Sequence, residues 1–462
     1  MTHARRLARP CLPPIAIALL SVAIVACGEP RAPSSPAGSG SAARASPPPS
    51  APSAPSGGPE ASAISSSPSS PSVASTAAEI ARLEAVVAAD PTDAGSQRDL
   101  GFALAQRVRE TADPSLYAPA EAAFRAALRL RPDDAPALVG IAGIQLGKHE
   151  FAAGLETARR ALALSPSLVA AHAAQVDALV ELGRYDEADT AAGAMFGLSS
   201  DLSTLARVSY LAELRGRLPA ALTAMRAAAR APGLAPENTA YIDALLGNLL
   251  VANGDPDGAA TAYASALVLV PEHAPSLAGG GRLAVGAGHL DEAIERFEHA
   301  ARVVPLPEYV IALGDAQTAA GQADGAVRSY KLARAEIQLF KAAGVVVDVD
   351  LALLEADHGD PAAALSYAMA ALAVTPTVRA ADAVGWALHR LGRNREALAQ
   401  VKDALRLGSI DPILRYHAGA IEASLGKAVD ARRDLTRALA TDSGFSATGA
   451  AEARRLLASL KG

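Results

Sequence analysis

Residues 182–192, LGRYDEADTAA, set a glycine where one helix must stop and an alanine five residues later where the next one packs. The same unit returns as NGDPDGAATAY (253–263), AGHLDEAIERF (287–297), LGRNREALAQV (391–401) and LGKAVDARRDL (425–435). The small residue that opens each second helix falls at Ala120, Gly154, Ala188, Ala221, Ala259, Ala293, Ala326, Ala364, Ala397 and Ala431. The intervals are 34, 34, 33, 38, 34, 33, 38, 33 and 34 residues. A period of this length predicts one stacked array of helical hairpins rather than several separate domains.

The residue types fit that reading. Gly183, Gly254, Gly288, Gly392 and Gly426 stand where a first helix ends and the backbone often turns left-handed. Ala188, Ala259 and Ala293 allow close helix approach, and Phe124, Tyr263, Phe297, Tyr330 and Leu435 fill the gap from the same helical faces. Pro132, Pro166, Pro271, Pro305 and Pro376 close second helices. Departures at RVRETADPSLYAP, RAPGLAPENTA and EIQLFKAAGVVVDVD predict local kinks or lips.

The pattern resembles the tetratricopeptide repeat, a helix-turn-helix of 34 residues, over nearly all of residues 76–462. The resemblance implies an all-α, right-handed α-solenoid of about ten repeats. The array is expected over 76–445, opened by a half-repeat at 76–89 and closed by a C-terminal capping helix within 446–462. Arrays need such caps because an end repeat otherwise exposes its apolar face.

Half of the 462 residues are apolar, but only 4 % are aromatic, which favours helices packed through small side chains. The net charge is −6. Removing residues 1–26, with Arg5, Arg6 and Arg9 and no acid, would make it −6 − 3 = −9. No basic footprint for nucleic acid is present.

The start, MTHARRLARPCLPPIAIALLSVAIVAC, has a basic end, an apolar run from about Leu12 to Val25 and small residues before Cys27. This is the layout of a secretory signal peptide over residues 1–26, with an apolar run too short to span a bilayer. Ile24, Val25, Ala26 and Cys27 resemble the lipobox of bacterial lipoproteins. That resemblance implies lipidation of Cys27, loss of Cys11 and attachment to the cell envelope, with Gly28 favouring the outer membrane. The mature chain would then hold no free thiol for a disulfide, a thiolate metal site or a nucleophile. Residues 28–75 are almost entirely Pro, Ala, Ser and Gly, so residues 27–75 are expected to form a lipidated, disordered linker. As a flexible coil it would span roughly 35–40 Å.

No catalytic, metal or cofactor site stands out. Gly279, Gly281 and Ala284 have dinucleotide-fingerprint spacing, but they lie inside a predicted first helix and read as packing residues. Asp348 and Asp350 lack the alternate oxygen ligands of a calcium loop, and VVVDVDLALL is read as entering a first helix. The nine histidines form no H-x-x-x-H or H-E-x-x-H motif, and no G-x-S-x-G elbow occurs.

In the resembled family, first helices line a groove for peptides. The groove register selects Asp177, Glu181, Tyr241, Asn248, Arg282, Asp315, Arg379, Asp382, Trp386, His389, Arg390 and Tyr416. The cluster from Arg379 to Tyr416 mixes aromatic and guanidinium groups of the kind that dominate interfaces. The expected protein is a non-catalytic, membrane-anchored scaffold for protein or peptide partners, facing the periplasm or exterior. An envelope enzyme, a glycan binder and a soluble intracellular adaptor are the alternatives.

Overall fold

The computed structural model describes residues 73–231 and 235–460, with side chains from Thr76 onward. The expected signal peptide, Cys27 and residues 28–72 of the linker lie outside the described residues. Residues 73–75 form the first turn of the helix Val73–Ala89. Among the described residues there are 22 α-helices and one 3-10 turn at Pro114–Leu116, with no strand.

Twenty of these helices pair into ten antiparallel hairpins. The first joins Ala94–Thr111 to Tyr117–Leu130, and the tenth joins Pro412–Ser424 to Ala428–Thr441. Val73–Ala89 precedes the set, and Gly449–Ser459 packs against the tenth hairpin. The fold is an all-α solenoid.

Its repeat rests on close contact between small and large side chains. Ala120, Ala188, Ala221, Ala259, Ala293, Ala364, Ala397 and Ala431 are all 0 % exposed. Where the residue four positions on is large, at Phe124, Tyr263, Phe297, Tyr330 and Leu435, it presses onto a glycine of a first helix. A Cβ added at Gly140 would lie 2.3 Å from the Phe124 ring, and one at Gly279 would lie 2.5 Å from Tyr263. Gly279 and Gly281 therefore serve as seats for the rings of Tyr263 and Phe297 within the helix Ala274–Ala287. Gly140→Ala should cost about 1–3 kcal/mol through overpacking, despite alanine's better helix propensity. Chemical denaturation checks this, and a stabilised variant would contradict the packing argument.

The lengthened repeats have structural counterparts. The seventh hairpin has a long second helix, Ala323–Ala342, followed by a left-handed Gly344 and a short link to the helix Asp348–His358. Leu351 and Ala352 are buried there, as their helical register requires.

Successive turns of the array also touch. The Val346 N–H donates to the carbonyl of Lys148 at 3.3 Å, and His149 Nδ1 meets the Val346 carbonyl. The Val378 N–H donates to the Tyr185 hydroxyl at 3.0 Å across 193 residues of sequence. Arg406 donates to the Pro376 carbonyl at 3.0 Å and lies over the Tyr185 ring, 5.4 Å from its centroid. Gly183 and Gly216 have positive φ and no room for a Cβ, which would lie 2.4 Å from the carbonyl oxygens of Pro376 and Gly408 respectively. Thus the turns within hairpins two, three and four meet the connections that follow hairpins seven, eight and nine. The concave face becomes the wall of a lumen.

Candidate functional site

The lumen holds a cavity of about 470 Å³. Six consecutive first helices line it: Pro236–Ala252, Ala274–Ala287, Pro307–Ala319, Asp348–His358, Val378–Arg390 and Pro412–Ser424. Its remaining wall is Phe297 of the second helix Leu290–Val303 and the C-terminal segment from Gly444 to Gly449, with Glu452 on the following helix.

Of the residues selected from sequence, Tyr241, Asn248, Arg282, Asp315, Arg379, Arg390 and Tyr416 line this cavity. Asn248 Oδ1 accepts from Arg282 Nη2 at 2.8 Å and from the Tyr263 hydroxyl at 2.7 Å, tying neighbouring repeats together. Arg379 Nη2 lies 3.5 Å from Asp350 Oδ1, and Arg390 Nε donates to the Ala356 carbonyl at 2.9 Å. Asp315 Oδ1 accepts from the Tyr330 hydroxyl at 2.9 Å and pairs with His358 Nε2 at 2.9 Å.

Trp386, Asp382 and His389 occupy a different setting. Trp386 is only 1 % exposed, donates its indole N–H to Asp357 Oδ1 at 2.8 Å and stacks on His417 at 3.9 Å. Asp382 is buried and paired with His417 Nδ1 at 2.9 Å. His389 Nδ1 lies 2.6 Å from Asn394 Oδ1. Together they form a buried aromatic and polar support behind the cavity wall. Further along the array, Asp177 is held by Arg207 through two bonds of 2.8 and 2.6 Å, and Glu181 is half-buried.

The structure adds Glu308, Tyr309, Asp350, Asp357, His358 and His417 to the lining, and above all Phe445 and Ser446. Repeat register could have found the first six, which lie on first helices. Phe445 and Ser446 lie beyond the last hairpin, where a repeat pattern carries no information. The only signal there was an aromatic residue set among small ones in TDSGFSATG (441–449).

Lumen carboxyls are surrounded by protein on most sides, although water reaches them. Burial pushes Glu308 up from the ordinary 4.5 to about 7, reinforced by nearby Asp350 and opposed by Arg282 and Arg379. Outside the cavity lining, burial raises Glu213 to about 8, reinforced by Asp411, and raises Asp411 to about 6. A carboxyl with a raised folded pKa binds more protons folded than unfolded between the two values, so stability falls as pH rises through that window. The contribution of Glu308 and Glu213 to stability should therefore fall between about pH 4.5 and 8, opposed below about pH 6.5 by His149, His273 and His389, whose burial lowers their pKa. Glu308→Gln with Glu213→Gln should flatten the profile, as read by urea midpoints across pH. An unchanged slope would place these groups in free contact with solvent.

The cavity mixes apolar side chains with converging polar groups, a surface suited to binding. Asp315 with His358 and Asp350 with Arg379 pair across the lining, while Arg282 and Arg390 are oriented by the neutral oxygens of Asn248 and Ala356, which fixes their geometry. Among the described residues no group of three or more His, Cys, Asp or Glu is placed to hold a metal, and no helix is long and apolar enough to cross a membrane.

Comparison with known proteins agrees with the repeat architecture. Residues 279–338 and 384–447 match the tetratricopeptide repeat family model, covering parts of hairpins six, seven, nine and ten. The array is therefore a tetratricopeptide-like solenoid. A tetratricopeptide repeat protein from Parabacteroides merdae is similar at 17 % identity and TM-score 0.33, over 56 % of this chain and 99 % of that one. YrrB, described as a TPR protein with an unusual peptide-binding site, is similar at 19 % identity and TM-score 0.28, over 39 % and 92 %. The human IFIT1 dimer with PPP-AAAA is similar at 16 % identity and TM-score 0.45, over 68 % and 73 %. No curated protein matches the chain.

Proposed function

We propose that this protein is a non-catalytic interaction scaffold of the bacterial cell envelope, tethered by lipid on Cys27 and holding a protein or peptide partner in the lumen of its solenoid. The observation that carries the binding reading is the convergence of six consecutive first helices on one cavity. An extended chain laid along such a wall would meet the same helical position in repeat after repeat, which is how solenoids gain area without a deep pocket.

The anchor reading rests on Ile24, Val25, Ala26 and Cys27 after an apolar run. Two or more acyl chains hold a protein firmly where one binds marginally. The Pro- and Ser-rich stretch that follows gives the array reach from the lipid surface. Outer-membrane attachment, facing the periplasm or exterior, and a role in envelope assembly, secretion or surface-structure biogenesis complete the proposal.

Mass spectrometry of the mature N-terminus should find a lipid adduct on Cys27, and an intact Met1 would sink the anchor. In-cell crosslinking of the wild-type and Cys27→Ser proteins should capture envelope proteins through the anchored form. Arg282→Glu with Arg390→Glu should reduce that capture at least tenfold in a protein with unchanged helical content. Undiminished capture would move the site out of the lumen.

A further inference from the structure

A capping helix needs only a short turn to fold back on the last hairpin, and Gly449–Ser459 does pack there. Residues 442–448 nevertheless run into the lumen. Phe445 is 1 % exposed, lies 5.3 Å from the Tyr416 ring and belongs to the apolar cluster of Trp386 and Tyr416. The Ser446 hydroxyl donates to Asp315 Oδ2 at 3.2 Å, across 131 residues of sequence. Ala447 packs against the apolar core that includes Tyr309 and Leu313. The seat is specific, with an aromatic slot, a carboxylate for a hydroxyl and an apolar contact in succession. It lies on the wall of the same cavity that remains open beside it.

We infer that residues 443–449 are a resident occupant of the lumen, and that the partner is an extended peptide carrying an aromatic side chain followed by a small hydroxyl residue, which competes for their seat. The inference rests on the lumen-binding reading above and specifies its ligand. The aromatic side chain takes the slot beside Tyr416. The hydroxyl donates to Asp315, whose other oxygen is already held by Tyr330 and His358. The residue four places after the aromatic must be small in a peptide that keeps the resident fold, because a Cβ at Gly449 would lie 2.9 Å from the Phe445 ring.

Competition has a measurable size. When a binding-competent state is populated only in part, apparent affinity falls by that fraction, so a resident segment seated about nine-tenths of the time weakens an outside peptide about tenfold.

The probe is a fluorescein-labelled peptide of residues 441–451, TDSGFSATGAA, titrated into the full chain as wild type, Phe445→Ala and Ser446→Ala. Both variants should bind it more tightly than wild type, by up to about tenfold for Phe445→Ala and less for Ser446→Ala, and a Phe445→Ala version of the peptide should bind at least tenfold more weakly. In the wild type, saturating peptide should speed hydrogen exchange at the Ala450 amide, which donates to the Ser446 carbonyl at 3.1 Å. If Phe445→Ala fails to fold, Ser446→Ala, which keeps the ring, carries the test. A folded variant that binds no better than wild type, or binding indifferent to the peptide's phenylalanine, would overturn the inference. Partner capture that still depends on Arg282 and Arg390 would then leave the scaffold reading standing with a different ligand.

Discussion

Gly183→Val will open the contact between successive turns of the solenoid and destabilise it by about 2–4 kcal/mol. Two costs combine. Gly183 has φ +69°, a left-handed conformation that a β-branched residue resists, and its new Cβ would lie 2.4 Å from the Pro376 carbonyl oxygen. That carbonyl also accepts from Arg406, and the Tyr185 hydroxyl two residues away receives the Val378 N–H. The whole seam must therefore shift. Hydrogen exchange at the Val378 amide should quicken on the order of a hundredfold, since each 1.4 kcal/mol is about a factor of ten. Gly392→Val is the control: φ is +76° there, but nothing lies within 4 Å of an added Cβ. It should carry the backbone strain and leave exchange at Val378 unchanged. Equal behaviour of the two variants would show that the seam contributes nothing to closure.

Trp386→Ala should cost about 3–5 kcal/mol, the range for removing a large buried aromatic side chain. The indole is 1 % exposed, stacks on His417 at 3.9 Å with a 12° interplanar angle, and touches the cluster that seats Phe445. Its loss leaves a void in that cluster and removes the N–H that Asp357 accepts at 2.8 Å. Trp386→Phe separates the effects by keeping much of the volume without the donor, and should cost less. Calorimetric or urea unfolding reads both. A loss under about 1 kcal/mol for Trp386→Ala would contradict the burial and return the indole to the surface.

The repeat architecture was legible because its constraints are local. A helix stop at Gly183, a small residue at Ala188 and a ring at Phe297 recur at a near-fixed period, and each needs only its own hairpin or the next one. The same register brought Tyr241, Asn248, Arg282, Arg379, Arg390 and Tyr416 to one cavity. Trp386 illustrates the limit of that register. Its position on a first helix says which face it occupies, while its burial depends on His417 and Phe445, contributed by later segments. The seam at Gly183 and Gly216 was equally hidden. A left-handed glycine looks the same in sequence whether it faces solvent, as at Gly392, or another turn of the chain. The insertion of residues 442–448 follows no repeat at all, since it depends on a seat assembled from hairpins seven to ten.

The most direct test of the account is site-specific photocrosslinking in cells from position 241, on the lumen wall, and from position 268, where Val268 is 82 % exposed on a second helix. The account predicts that position 241 captures a defined partner, that this capture is lost when Arg282→Glu and Arg390→Glu are added, and that position 268 captures none. Capture of the partner from position 268, with position 241 joining only to the chain itself, would contradict the claim that the lumen is the binding site.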